Sequence, residues 1–289
     1  MSEHEILAGR FEESRAHLRG VAYRMLGSLS EADDAVQEAW LRLDRTDARE
    51  VQNLDGWLTT VVARICLDML RARKSRREEP MVAHMPDPIV ARDDPAETTL
   101  LADSIGLALL VVLETLAPAE RLAFVLHDLF GMSFEEIAPI VERTPAAARQ
   151  LASRARRRVQ AAPQAPERDL ARQRQVVDAF LAASRAGDLN ALLAVLDPDV
   201  VLRSEHRGVF NEVRGAAHVA KGSLLYGKTA RADRVEHRAL VNGGLGLVTF
   251  AGGEPFSVLG FTIVDGKIVE IDILADQDRL RRLDLGDFA

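Results

Sequence analysis

Five arginines, Arg149, Arg154, Arg156, Arg157 and Arg158, fall within ten residues of the stretch RTPAAARQLASRARRRV, residues 143–159. A guanidinium is planar, permanently charged and forked, so it suits phosphates and the acceptor edge of guanine. Gln150 in the same stretch can pair with adenine, and Ser153 offers a hydroxyl. A second basic run, RARKSRR, places Arg71, Arg73, Lys74, Arg76 and Arg77 within seven residues. The chemistry on offer in both runs is contact with nucleic acid. The plain alternative for each is a solvated helix face, and basic charge at a helix C-terminus also suits the macrodipole.

The elements that must carry these residues are helices. Ala148, Leu151, Ala155 and Val159 form one apolar stripe, with Arg149, Gln150, Ser153, Arg156 and Arg157 opposite it. Thr144 suits the cap and Pro145 the first turn. Upstream, Ser133 and Glu136 have capping-box spacing and open a helix whose buried set is Phe134, Ile137, Ala138 and Val141. Pro139 lies inside that helix and favours a kink. Glu142 stands where such a turn often carries Gly. Two short helices joined by a tight turn, the second basic, make a helix-turn-helix whose second helix enters the major groove.

The chain of 289 residues carries 37 basic and 44 acidic side chains, a net of −7. Residues 1–99 hold 14 basic and 19 acidic groups, 100–174 hold 10 and 9, and 175–289 hold 13 and 16. Global attraction to DNA is therefore absent, and binding has to come from local basic stripes. The N-terminus is polar and no long apolar run suggests a membrane span, so a cytoplasmic protein is expected. Cys66 is the only cysteine, which excludes an internal disulfide or a multi-cysteine zinc site, and its apolar surroundings place it in a core. No cofactor or metal is called for.

Two breaks divide the chain. Residues 78–97 contain Pro80, Pro86, Pro88 and Pro95 without a clear period and read as a flexible linker. Residues 161–169, with Pro163 and Pro166, end the basic helix. The first segment is helical throughout. EADDAVQEAWLRL buries Ala35, Val36, Ala39, Trp40 and Leu43 and leaves Asp33, Asp34, Gln37, Glu38 and Leu41 outside. The next helix begins near Asp55, takes Trp57, Leu58, Val61, Val62, Ile65, Met69 and Leu70 inward, and runs into the RARKSRR cluster.

The order AYRMLGSLSEADDAVQEAWLRL, LDGWLTTVVARICLDMLRARKSRR and LETLAPAERLAFVLHDLFGMSFEEIAPIVERTPAAARQLASRARRRV resembles the bacterial extracytoplasmic function sigma factors over roughly residues 6–160. The resemblance implies a promoter reader that recruits core RNA polymerase and has no chemistry of its own. It implies sigma region 2 at 1–77, a linker at 78–97 and region 4 at 98–161. Asp33, Asp34, Gln37, Glu38 and Leu41 become the polymerase-docking surface. Asn53, Arg64, Arg71, Arg73, Lys74, Arg76 and Arg77 become contacts to the melted −10 element. Arg149, Gln150, Ser153, Arg154, Arg156 and Arg157 become contacts to the −35 element.

Residues 172–289 lie beyond that plan. They read as helix, Gly187 stop, a second helix capped by Asp188, a strand, and then a meander with hairpin turns at Asn242–Gly243, Gly252–Gly253 and Asp265–Gly266. The pattern is similar to the SnoaL-like cone domains, an α+β fold with an antiparallel sheet. Sigma factors with such a tail form a branch in which the tail adjusts sigma activity. The branch's Asp-Gly-Gly-Gly motif is replaced here by SEHRGVFNEVRG, its Asn-Pro-Asp-Lys-Leu by ADQDRL, and the linker lacks its aromatic-proline motif. Cone domains also include enzymes that use an Asp or His base, for which Glu205, His206, His218, His237 and Asp272 are available. The expected fold is thus two all-α sigma domains, a helical bundle and a helix-turn-helix, followed by a SnoaL-like α+β domain. The alternative function is a polymerase-independent helix-turn-helix regulator fused to an enzymatic or small-molecule-sensing domain.

Overall fold

The computed structural model describes residues 3–46, 53–75, 85–92, 106–160, 167, 169–229, 234–285 and 288. The chain divides into two compact units, one of residues 1–82 with 112–161 and one of residues 83–111 with 162–289.

The first unit is helical. α1 (Glu3–Leu26) stops at Gly27, whose φ of +69° is left-handed and favours a residue without a side chain. α2 (Leu29–Asp44) is capped by Ser28 and buries Ala32, Ala35, Val36, Ala39 and Leu43. α3 (Leu54–Ser75) buries Leu58, Val61, Val62, Ile65, Cys66 and Leu70, while Trp57 is half-buried. The three helices form one bundle, as the apolar stripes require. Burial pushes the Cys66 thiol up to about 12, so it is an inert core residue.

α4 (Leu107–Glu114) begins in the residues of the second unit, and from Val112 the chain runs in the first unit to α5 (Pro118–Phe124), which continues as a π-helical turn, Val125–Leu129. α6 (Phe134–Ile137) has the full Ser133–Glu136 capping box. Pro139 shortens this helix to a single turn, and the chain reverses through Glu142, a non-glycine residue at φ +56°. Thr144 Oγ1 accepts from Ala147 N at 3.2 Å and opens α7 (Pro145–Gln160). The buried face of α7 is Ala148, Ala152 and Ala155, with Leu151 and Val159 half-buried at its edges. It is narrower than the stripe read from the sequence because Ala152 lies at its centre.

The second unit is α+β. Asp169 caps α8 (Leu170–Ala186), Gly187 ends it at φ +74°, and Asp188 caps α9 (Leu189–Val195). The strands follow as β2 (Leu196–His206), β3 (Val209–Arg214), β4 (Arg234–Val241), β5 (Gly244–Ala251), β6 (Glu254–Val264) and β7 (Lys267–Leu274). α10 (Ala216–Thr229) intervenes after β3, and α11 (Gln277–Leu280) closes the domain. All three expected hairpin turns have paired left-handed residues, including Asn242 at +51° and Gly243 at +78°.

The seven-stranded sheet has the order β1-β4-β5-β6-β7-β2-β3, where β1 is Val90–Arg92. Two expectations are corrected here. β2 pairs with β7 in parallel, so the sheet is mixed rather than antiparallel. β1 comes from the segment read as a flexible linker, because β4 offers it an unpaired edge of backbone donors and acceptors. Val177, Phe180 and Ala183 of α8, Leu192 of α9 and Val219 of α10 pack on Leu245, Leu247, Phe261 and Ile271. The Phe180 and Phe261 rings meet at 5.7 Å, so apolar side chains fill the space between helices and sheet.

Candidate functional site

α7 presents Arg149, Gln150, Ser153, Arg154 and Arg157 to solvent, with Arg156 half-buried. Three of its arginines meet carboxylates. Arg154 Nε lies 2.8 Å and Arg158 Nη1 3.5 Å from Glu120 of α5. Arg156 pairs with Asp128 of the π-helical turn. These pairs bracket the buried alanine face and tie the helix to its scaffold. Arg149 differs: its guanidinium carbon stands 5.2 Å from the centroid of the Phe134 ring.

On α2, Asp34, Gln37 and Leu41 are exposed, and Leu41 is an apolar side chain at 40% exposure. Glu38 pairs with Arg42 at 3.0 Å, and Asp33 with Arg19 at 2.6 Å. The set thus forms one acidic face around an exposed leucine. Asn53 Oδ1 accepts from Gly56 N at 3.1 Å and caps α3, leaving the residue exposed. Arg64, Arg71 and Lys74 are exposed along α3. Arg73 is not: it is half-buried, pairs with Glu31 and reaches Leu26 O at 3.5 Å. It therefore ties α3 to the C-terminal end of α1, whose last carbonyls lack helical partners. Arg76 and Arg77 lie outside the described residues.

Residues 11–76 match the family described as Sigma-70 region 2, and residues 106–159 match Sigma-70, region 4. The probable ECF RNA polymerase sigma factor SigI of Mycobacterium tuberculosis is 37% identical over 284 residues, 97% of each chain. The chain belongs to the extracytoplasmic function sigma factors. SigJ of the same organism is 37% identical over 293 residues, 93% of this chain and 91% of that one. The crystal structure of SigJ superposes with a TM-score of 0.74 at 35% identity, covering 96% of this chain and 99% of that one. The C-terminal domain of this sigma factor is thus within the reach of both likenesses. Among the described residues, no helix is long and apolar enough to cross a membrane.

In this sigma factor, regions 2 and 4 pack directly on each other. Arg121 of α5, 2% exposed, donates from Nε to Arg24 O at 3.1 Å and from Nη1 to Glu114 at 2.9 Å. It therefore docks on the same C-terminal end of α1 that receives Arg73. A side chain at Gly27 would strike the Glu114 carboxylate, which lies against the glycine. Phe130 supplies a second contact, edge-on to His17 at 5.2 Å and under the Arg24 guanidinium at 5.1 Å.

The C-terminal domain holds part of the linker. Val90 and Arg92 pair with Val241 and Ala239, and Ile89 bonds to Asn242 through both its backbone groups. Met85 N donates to Glu205 Oε2 at 2.8 Å. Arg279, in the stretch ADQDRL, donates to Met85 O at 2.6 Å and to Asp87 from Nε at 3.0 Å, and pairs with Glu205 at 3.0 Å. The sequence offered no sign that residues so distant meet.

On the sheet face away from the helices, Arg203 lies 3.0 Å from Glu270, 3.3 Å from Asp272 and 3.4 Å from Glu212. One guanidinium serves three carboxylates, and Glu270 Oε2 is buried without a partner. Burial, aided by the Glu270 charge and opposed by Arg203, pushes Asp272 up to about 7. Between its unfolded value of 3.8 and about 7, the folded chain holds a proton that the unfolded chain has lost. Stability of this domain therefore falls as pH rises across that window and levels off above it. Amide exchange in β7 of the full chain at pH 5 and pH 8 measures this difference, and Asp272→Asn is expected to shrink it. An equal difference in wild type and variant contradicts the assignment.

His206 bonds to Ala275 O at 3.0 Å, and His218 is exposed. His237 packs edge-on to Phe250. The five candidate acid-base residues of this domain are thus engaged in separate structural contacts or exposed.

Proposed function

We propose that this sigma factor docks core RNA polymerase through Asp34, Gln37, Glu38 and Leu41 of α2. The observation that carries the reading is the combination on that face: an exposed leucine framed by carboxylates, which is the make-up of a partner surface rather than of a solvated helix. Asp33 belongs to the same face and is shared with Arg19. The −10 element is contacted by Arg64, Arg71 and Lys74, with Asn53 at the head of α3 and Arg76 and Arg77 beyond its described end. Arg73 serves structure. The −35 element is read in the major groove by Arg149, Gln150, Ser153 and Arg157, while Arg154 and Arg156 exchange their carboxylates for phosphates. The protein acts in the cytoplasm, where polymerase and chromosome are, and catalyses no reaction itself.

The C-terminal domain governs how far regions 2 and 4 can separate. The two promoter elements lie about 25 base pairs apart, roughly 85 Å at ~3.4 Å per pair. Contacts such as Arg121 to Arg24 O must open to span that distance, and the linker that allows it is held at residues 85–92. The domain thus biases a closed state, and polymerase binding shifts the population to the open one. The apolar filling between its helices and sheet favours this role over binding of a small-molecule ligand. Runoff transcription with purified core polymerase tests the reading. Deleting residues 170–289 is expected to raise activity several-fold, and Arg279→Ala to raise it less. A fall in both instead means that the domain assists initiation.

A further inference from the structure

Region 4 holds its arginines in two chemically different ways. Arg154, Arg156 and Arg158 rest against carboxylates. Such a partner occupies N–H donors and cancels charge, so DNA must displace it before those donors become available. Arg149 rests on an aromatic ring, 5.2 Å from its centroid. A ring face attracts the flat of a guanidinium and leaves the N–H edge free. Among the described residues, Arg149 donates no hydrogen bond and forms no ion pair.

The ring is itself fixed. Phe134 is 8% exposed, at the first position of α6, inside the Ser133–Glu136 capping box. His127 stacks on it at 3.9 Å with 28° between planes. His127 Nδ1 is 2.9 Å from Met132 O, which pins the imidazole in turn. Phe134 thus contacts both His127 and Arg149. Arg149 stands in the N-terminal half of α7, the part of a recognition helix that reaches base edges.

We propose that Phe134 is a positioning residue for promoter selection: its ring, backed by His127, fixes the Arg149 guanidinium with its donor edge free, and Arg149 reads a guanine in the −35 element. A large aliphatic residue such as Leu at 134 fills the core without orienting the guanidinium. Arg157, exposed on the same face, has no such platform and contacts the backbone. The proposal rests on the reading that α7 lies in the major groove.

The test is transcription by core polymerase with the full-length chain from a library randomised across the −35 element. R149K keeps the charge but loses the fork, and preference for guanine at one position is expected to fall about tenfold or more. F134L keeps an apolar core residue and is expected to lower preference at that same position about two- to fivefold, the size of an exposed cation–π contact. F134Y keeps the ring and the preference. Adding F134L to R149K is expected to cost no further selectivity at that position. A uniform loss across all sequences in F134L, or a loss in R149K that F134L does not share, overturns the proposal. If R149K, Q150A and R157A all leave the −35 preference intact, the placement of α7 fails as well, and this inference with it.

Discussion

Reversing two charges on α2, in the full-length double variant Asp34→Lys/Glu38→Lys, is expected to lower core-dependent runoff transcription by at least about 100-fold. Both carboxylates lie on the face that carries Leu41, an exposed apolar side chain. A docking surface of this kind depends on the apolar anchor for affinity and on the charges for orientation and approach. Placing like charges against a basic partner costs several kcal/mol, and each ~1.4 kcal/mol is a factor of ten. The same substitutions leave the fold intact, because Asp34 is exposed and the Glu38–Arg42 pair is an exposed i,i+4 contact of small worth. Unchanged helix content and unfolding midpoint in the variant, together with lost copurification with polymerase, establish that the face serves a partner. Normal initiation by the variant removes α2 from the docking surface.

Removing the Arg121 side chain has the largest expected effect on stability. Its guanidinium is 2% exposed and serves Glu114 together with the end of α1. Arg121→Ala leaves the Glu114 carboxylate, 15% exposed, beside an empty site, and a stranded charge of this kind costs about 3–5 kcal/mol. The paired replacement Arg121→Met/Glu114→Leu is expected to recover most of that loss, since an apolar pair of similar volume needs no charge compensation. Urea unfolding of the full-length variants measures both. If Arg121→Ala unfolds at the wild-type midpoint, the pair contributes nothing to the joint packing of regions 2 and 4.

Much of this structure could be read locally. Ser133, Thr144 and Asp188 each sit where a helix start was due, and each hydroxyl or carboxylate accepts from a backbone amide of the first turn. Gly187 and the paired turn residues Asn242–Gly243 and Asp265–Gly266 follow from the backbone conformations they allow. What escaped depends on partners far along the chain. Arg73 reads as one of a basic run, yet Glu31 holds it across 42 residues. Val90–Arg92 is a short strand only because the edge of β4 is open to it. α10 carries Val219 and Ala220 on its buried face, but Gly222 and the small residues around it weaken the apolar period. The parallel register of β2 with β7 leaves no trace in either strand, since β7 alternates apolar and polar residues as a strand of an antiparallel sheet does.

The candidate interfaces divide in the same way. Exposure of Asp34, Gln37 and Leu41, and of Arg149, Gln150, Ser153 and Arg157, follows from helical period alone. Which arginines are already engaged does not, because Glu120 and Asp128 lie some thirty residues upstream of their partners. That distinction separates the arginines that anchor α7 from the one an aromatic ring presents.

The most direct test of the account is to mix the purified full-length chain with core RNA polymerase, isolate the complex, and map start sites by runoff transcription on genomic DNA. The account predicts a stable complex that initiates at a defined promoter set, with both properties lost in Asp34→Lys/Glu38→Lys. Specific operator binding by the chain alone, with no complex and no change in start-site choice, contradicts it.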